Sequence, residues 1–149
     1  EMSASLGAGD VYKRQASGAP AQEGYEQVDF ETLLTQSDII SVHAPLNEHT
    51  EGLINSKAFE KMKSSCIFLN LGRGPIVDEQ ALYNALVRNQ IAAAGLDVLC
   101  KEPMSADNPL LKIKDSKRLL ITPHIAWASV EARTHLMEII HGQVKDFFA

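Results

Sequence analysis

Cysteine is scarce in this chain. Its 149 residues hold two, Cys66 and Cys100, and they form no motif. Free thiols of this kind suggest a reducing compartment, so a cytoplasmic location is expected. Positive charge is also in short supply, with 14 Lys and Arg against 19 Asp and Glu and a net charge of −5. That balance argues against a nucleic-acid binder, whose affinity rests on excess basic residues. It does not exclude small anionic ligands, because one placed Arg can bind a carboxylate on an acidic protein. No apolar run approaches the length of a membrane span, and the N-terminus lacks the basic segment and apolar stretch of a secretory signal. No membrane partner is expected. A Gly-x-Ser-x-Gly nucleophile elbow is absent. The five histidines show no ligand spacing, His135 and His141 lying six residues apart on one helical stretch, so no metal is expected.

What is present is the composition of a soluble globular domain, 45% hydrophobic and 22% charged. A chain of this length buries enough surface to form a core without a disulfide or metal. Residues 1–24 stand apart. They are rich in Gly, Ala, Ser and Gln, and Gly7-Ala8-Gly9 has no hydrophobic strand feeding it. A phosphate-cradling loop needs that strand and a helix leaving the turn. The segment therefore reads as a disordered or artefactual terminus.

Residues 25–149 alternate between strand and helix patterns. Asp29 caps a short helix through Leu34. Residues 38–45 (DIISVHAP) are a strand ended by Pro, and Ser56 to Lys63 is helical. Cys66 to Leu71 (CIFLNL) is a strand stopped by Gly72-Arg73-Gly74-Pro75. Asp78 to Asn89 is an amphipathic helix, Ile91 to Val98 a third strand, and Arg118 to Thr122 a fourth. Ser129 to Phe148 is a long helix expected to turn Ala132, Leu136, Ile139, Ile140 and Val144 inward. Near-continuous apolar strands alternating with helices predict an α/β fold, a mostly parallel sheet covered on both faces. Ligands of such sheets sit at the carboxyl ends of the strands.

That rule selects three residues. Arg73 lies between two glycines and offers a planar fork for a carboxylate. His124 follows the fourth strand and can move a proton near neutral pH. Glu102 lies in the loop after the third strand. Each alone reads as readily as a structural side chain. Together at adjacent sheet edges they form a possible anion clamp, carboxylate and imidazole converging on one crevice. His43 reads as a packed strand-end His, and Trp127 either walls a pocket or packs.

Four strings then carry a family resemblance: residues 41–55 (SVHAPLNEHTEGLIN), 69–82 (LNLGRGPIVDEQAL), 95–103 (GLDVLCKEP) and 121–129 (ITPHIAWAS). Their order and spacing resemble the D-isomer-specific 2-hydroxyacid dehydrogenases, and the PHIAWAS string is most similar to the glycerate dehydrogenase (hydroxypyruvate reductase) branch. The resemblance implies the latter part of a doubly wound Rossmann-type nucleotide-binding domain, with its exit helix. It implies NAD as cofactor, with NADP open, and hydride transfer between a 2-oxo acid and a D-2-hydroxy acid. By resemblance, Arg73 binds the substrate carboxylate, His124 is the acid/base and Glu102 its partner. Asp97 matches the contact to the nicotinamide carboxamide. Ala44, Pro45, Leu71, Gly72, Arg73, His124 and Ala126 match a lining along the cofactor. A homodimer of the full-length protein is implied too.

The Gly-rich strand–turn–helix and the acidic ribose reader that precede these motifs in the family have no match here. The expectation is therefore a fragment that binds NAD poorly alone. Phosphoglycerate or lactate dehydrogenase, and an NADH-sensing corepressor on the same fold, stay open as alternatives. Glu102 argues against the formate dehydrogenase branch, which carries Gln there.

Overall fold

The computed structural model describes residues 2–6, 10–14 and 26–148. Three strands, β1 (Met2–Leu6), β2 (Asp10–Arg14) and β3 (Glu26–Gln27), precede helix α1 (Phe30–Gln36) and strand β4 (Ile39–Val42). Then come α2 (Ser56–Lys61), β5 (Ile67–Asn70), α3 (Glu79–Val87), β6 (Ala93–Leu96), β7 (Leu119–Ile121) and α4 (Val130–Phe147). The strands form one seven-stranded sheet in the order β3-β2-β1-β4-β5-β6-β7. β4, β5, β6 and β7 run parallel, while β1 is antiparallel to both β2 and β4. β1 and β2 fall in the 1–24 segment that the sequence sets apart. The Gly7-Ala8-Gly9 run lies outside the described residues, as do residues 15–25.

Each helix begins where a side chain satisfies its open N-terminal amides. Asp29, Asn55, Asp78 and Ser129 accept backbone N–H groups of the first turns of α1, α2, α3 and α4. The strands alternate with period two. Ile40, Phe68 and Ala94 lie side by side across β4, β5 and β6 and are buried, as are Val42, Asn70 and Leu96. The apolar ones among them form one core with Leu33 and Leu34 of α1, Ala58 and Phe59 of α2, and Leu82, Ala85 and Leu86 of α3. Phe59 meets Phe68 edge to face, ring centroids 5.5 Å apart, an arrangement that adds about 0.5–1.5 kcal/mol to area burial.

Two expectations need correction. Among the described residues the sheet is covered on one face, where both were expected. Ile39, Ile67 and Leu120 on the other face are 39%, 40% and 63% exposed, and no described helix packs over them. The near-continuous apolar strands do carry residues for both faces. The second cover is simply not among the described elements. Likewise α4 buries none of its residues. Leu136, Ile139, Ile140 and Val144 share a stripe but remain 42–51% exposed. Amphipathic spacing gives a helix an apolar face, but the surface that would meet it must come from elsewhere.

Candidate active site

The carboxyl ends of β4 to β7 gather the candidate residues, and each end is fixed by a different local device. At β5, buried Asn70 staples the turn that follows: its Nδ2 donates to the Arg73 carbonyl (3.0 Å) and its Oδ1 accepts Gly72 N–H (3.2 Å). Gly72 is pressed against the β4 end, where an added Cβ would lie 2.9 Å from the Ala44 carbonyl oxygen. Arg73 is exposed, and its Nη1 donates back to the Gly72 carbonyl at 2.9 Å. Among the described residues no carboxylate pairs with it. Arg73, Gly72, Leu71, Ala44, Pro45 and His43 line a recess of about 490 Å³. His43 itself bonds Ser41 Oγ through Nε2 (2.8 Å), which agrees with a local structural role.

His124 follows β7 in the left-handed region, φ 57°, which a residue with a Cβ adopts only where its surroundings hold it. Five hydrogen bonds do so here. Its own N–H reaches the Thr122 carbonyl, and Trp127 Nε1 donates to its carbonyl at 2.8 Å. Asp97, at the end of β6, accepts the next two backbone amides, Ile125 N–H on Oδ1 (2.9 Å) and Ala126 N–H on Oδ2 (2.8 Å). The Thr122 hydroxyl donates to Oδ1 as well. Asp97 is 3% exposed. Burial alone raises its carboxyl pKa, but the Thr122 hydroxyl and the Ala126 and Ile125 amides outweigh it, and the group titrates below the usual carboxylate range. Both oxygens of Asp97 are therefore engaged in building the His124 turn.

The turn delivers the His124 ring to Glu102, with Nδ1 donating to Glu102 Oε2 at 2.9 Å. The other oxygen, Oε1, accepts Leu99 N–H at 2.9 Å. The Leu99 amide, then the His124 ring, hold the Glu102 carboxyl below its ordinary pKa. No described group bonds Nε2 of the ring. The pair opens on a cavity of about 680 Å³ whose walls include Leu99, Met104, Ile121 and Asp97.

Of the three residues expected to converge, the structure brings His124 and Glu102 into contact. Arg73 lines the neighbouring recess rather than this cavity. Sequence reasoning missed Asn70, Thr122 and the indole of Trp127 as the groups that set the turns. The one available signal was Asn70 itself, an amide inside an otherwise apolar buried strand.

The sequence and the fold that carry this pair and this recess match known proteins. The profile of the D-isomer specific 2-hydroxyacid dehydrogenase, NAD binding domain, matches residues 2–126. The chain belongs to this family. It is 44% identical over 138 residues to a hydroxypyruvate reductase of Blautia hydrogenotrophica, covering 93% of this chain and 41% of that protein. It is 50% identical over 119 residues to a D-3-phosphoglycerate dehydrogenase of Archaeoglobus fulgidus, covering 80% and 22%. Among solved structures it resembles an acyclic imino acid reductase in complex with NADPH and D-Arg, with TM-score 0.80, 35% identity and coverage of 92% and 42%. The chain thus spans less than half the length of these relatives. The family match begins at residue 2, so it reaches into the N-terminal segment that the sequence reading sets apart.

Proposed function

We propose that this chain is the nicotinamide-side part of an NAD(P)-dependent oxidoreductase that interconverts a 2-oxo acid and a D-2-hydroxy acid, with hydroxypyruvate and D-glycerate as the pair. The observation that carries the reading is the His124–Glu102 hydrogen bond, which leaves Nε2 to face a reactant. The recess at the ends of β4 and β5 fits a dinucleotide laid across the strand ends, because Ala44 and Gly72 keep its wall close to bare backbone.

Bound NADH or NADPH supplies a hydride. As charge gathers on the 2-oxo oxygen, His124 in its imidazolium form donates the Nε2 proton and neutralises the developing alkoxide. In the reverse direction the neutral ring takes that proton back. Glu102 offsets the positive charge of the ring and fixes its orientation. Arg73 supplies the fork for the substrate carboxylate, leaving its bond to the Gly72 carbonyl to do so. In this reading Asp97 and Ala126 face the nicotinamide end, and the Asp97 carboxylate holds the Ala126 amide there. The reading carries NAD, with NADP open, a homodimer of the whole protein and a cytoplasmic location. No described helix is long and apolar enough to cross a membrane.

The 50% identity to a phosphoglycerate dehydrogenase favours a phosphorylated 2-hydroxy acid as the second reading. The test is NADH and NADPH consumption by the whole protein on hydroxypyruvate, glyoxylate, pyruvate and phosphohydroxypyruvate. Turnover of hydroxypyruvate that falls about 10²–10⁴-fold in His124→Asn supports the reading. A folded, NADH-binding protein that turns over none of the four overturns it.

A further inference from the structure

Glu79, the first residue of α3, lies 23 positions from Glu102 in sequence, yet both of its carboxylate oxygens hold the loop that carries Glu102. Oε1 accepts the Cys100 backbone N–H at 2.8 Å, and Oε2 accepts Asn108 Nδ2 at 2.8 Å. Cys100 and Asn108 bracket Glu102 on either side. Asn108 is buried, and its Oδ1 is already taken by Leu110 N–H. Two more contacts fasten the same stretch to the α3 side. Cys100 Sγ reaches the Val77 carbonyl, and Gly74 lies so near the Leu99–Cys100 peptide that an added Cβ would sit 2.0 Å from the Leu99 carbonyl carbon.

The loop that carries Glu102 is therefore tied to the start of α3 at Cys100 and at Asn108, and Glu102 in turn is bonded to Leu99 N–H of the same loop and to His124. The last step is exposed, the His124 and Glu102 side chains being 41% and 39% accessible. An ion pair that open to water is too weak to hold two side chains in one geometry unaided. The two bonds at Glu79 are charge-assisted, and they act on the loop backbone and a buried amide.

We propose that Glu79 is a positioning residue of the acid/base pair: it fixes the loop that carries Glu102 and thereby selects the Nδ1–H form of the neutral His124 ring. The proposal rests on the reading of His124 and Glu102 as that pair. A carboxylate at the start of a helix is favoured by the helix dipole whatever its contacts. That bland role needs only charge, whereas positioning needs two acceptors aimed at Cys100 and Asn108.

The experiment is nitrogen-15 NMR of the His124 ring in the 149-residue chain, above the pH of ring titration, where the two ring shifts report which nitrogen bears the proton. The parent is expected in the Nδ1–H form. Glu102→Ala removes the acceptor, and the ring reverts to the mixture of a free imidazole. Glu79→Ala is expected to move His124 at least half of that distance. In the exchange variant Glu79→Gln/Asn108→Asp the Gln oxygen still accepts Cys100 N–H and only the bond between positions 79 and 108 reverses donor and acceptor, so it is expected to return the parent signature. A Glu79→Ala chain that keeps the parent signature while Glu102→Ala loses it overturns the role of Glu79. A Glu102→Ala chain that keeps it overturns the pairing on which the proposal rests. Should Glu79→Ala fail to fold, the exchange variant decides: the parent signature supports the proposal, and a free-imidazole signature overturns it.

Discussion

Gly74→Ala gives the sharpest test of how the two loops after β5 and β6 are fitted together. The added methyl carbon would lie 2.0 Å from both the carbon and the oxygen of the Leu99 carbonyl, and 2.4 Å from Cys100 N. All three are backbone atoms, so no rotamer change relieves the clash. The 99–108 loop must retreat by roughly 1.4 Å to reach ordinary contact. That loop is tied down by the two Glu79 bonds and by Cys100 Sγ on the Val77 carbonyl. Overpacking against a fixed neighbour costs about 1–3 kcal/mol, and each hydrogen bond to a charged group lost in the retreat costs about 1.5–3 kcal/mol. With relaxation shared between them, the expected loss is about 3 kcal/mol. In a chain of this size that lowers the thermal midpoint by about 6–12 °C. Gly142→Ala in α4 is the control, since nothing lies within 4 Å of its added Cβ. As a glycine inside a helix it should gain up to about 1 kcal/mol on replacement. Equilibrium urea unfolding followed by circular dichroism measures both variants. Gly74→Ala within about 0.5 kcal/mol of the parent would refute the argument, because the loop would then be free to yield without loss.

Three further outcomes follow from the same geometry. Asp97→Asn should cost about 2–3 kcal/mol at neutral pH, since one carboxylate oxygen becomes a donor facing a backbone N–H. Because the folded pKa of Asp97 is depressed, its contribution is fully present above the ordinary aspartate value and is lost as pH falls through the folded one. Asp97→Asn should therefore flatten the stability–pH curve below about pH 4, and an unchanged slope in urea titrations would count against the turn-building role. Burial, then the Glu79 charge, push the Cys100 thiol up to about 11, so its alkylation at pH 8 should be slow and should quicken in Glu79→Gln. Equal rates in parent and variant, read by mass spectrometry, would contradict this. Isothermal titration of the isolated chain with NADH should show weak or no binding. A submicromolar dissociation constant would mean that the described recess suffices without a recognisable pyrophosphate turn.

Much of the fold was legible because its signals are local. Asp29, Asp78 and Ser129 announce helix starts through short side chains that reach amides two or three residues on. Residues 67–70 announce β5 by an apolar run stopped at glycine. The pairing of His124 with Glu102 was legible only through family resemblance, since 22 residues separate them and nothing in the spacing of a loop predicts contact. What could not be read is what depends on partners. Leu136, Ile139, Ile140 and Val144 mark a stripe on α4, but a stripe carries no information about the surface it meets, and here it meets none among the described elements. Asp97 shows the same limit at a single residue. Its position at a strand end says nothing of the three bonds its carboxylate makes to Thr122, Ile125 and Ala126 in a later segment of the chain.

The two halves of the proposed site differ in how they are held, and this divides the labour of catalysis. The His124 turn is over-determined. Asp97, Thr122 and Trp127 fix its backbone, and Glu102 fixes the ring. A proton donor gains from such rigidity, because its reach to the reacting oxygen must be set before charge develops there. Arg73 is held at its backbone by Asn70, while its side chain makes one bond to a neighbouring carbonyl. A guanidinium so lightly engaged can swing to a carboxylate at little cost, exchanging a neutral acceptor for a charged one. The expected consequence is a split in kinetics. Arg73→Lys keeps the charge but loses the fork, so it should raise KM for the oxo acid well above the parent value. His124→Asn should act chiefly on kcat. If Arg73→Lys in the whole protein lowers kcat and leaves KM untouched, Arg73 is not the ground-state carboxylate anchor. The recess it lines would then serve the cofactor alone.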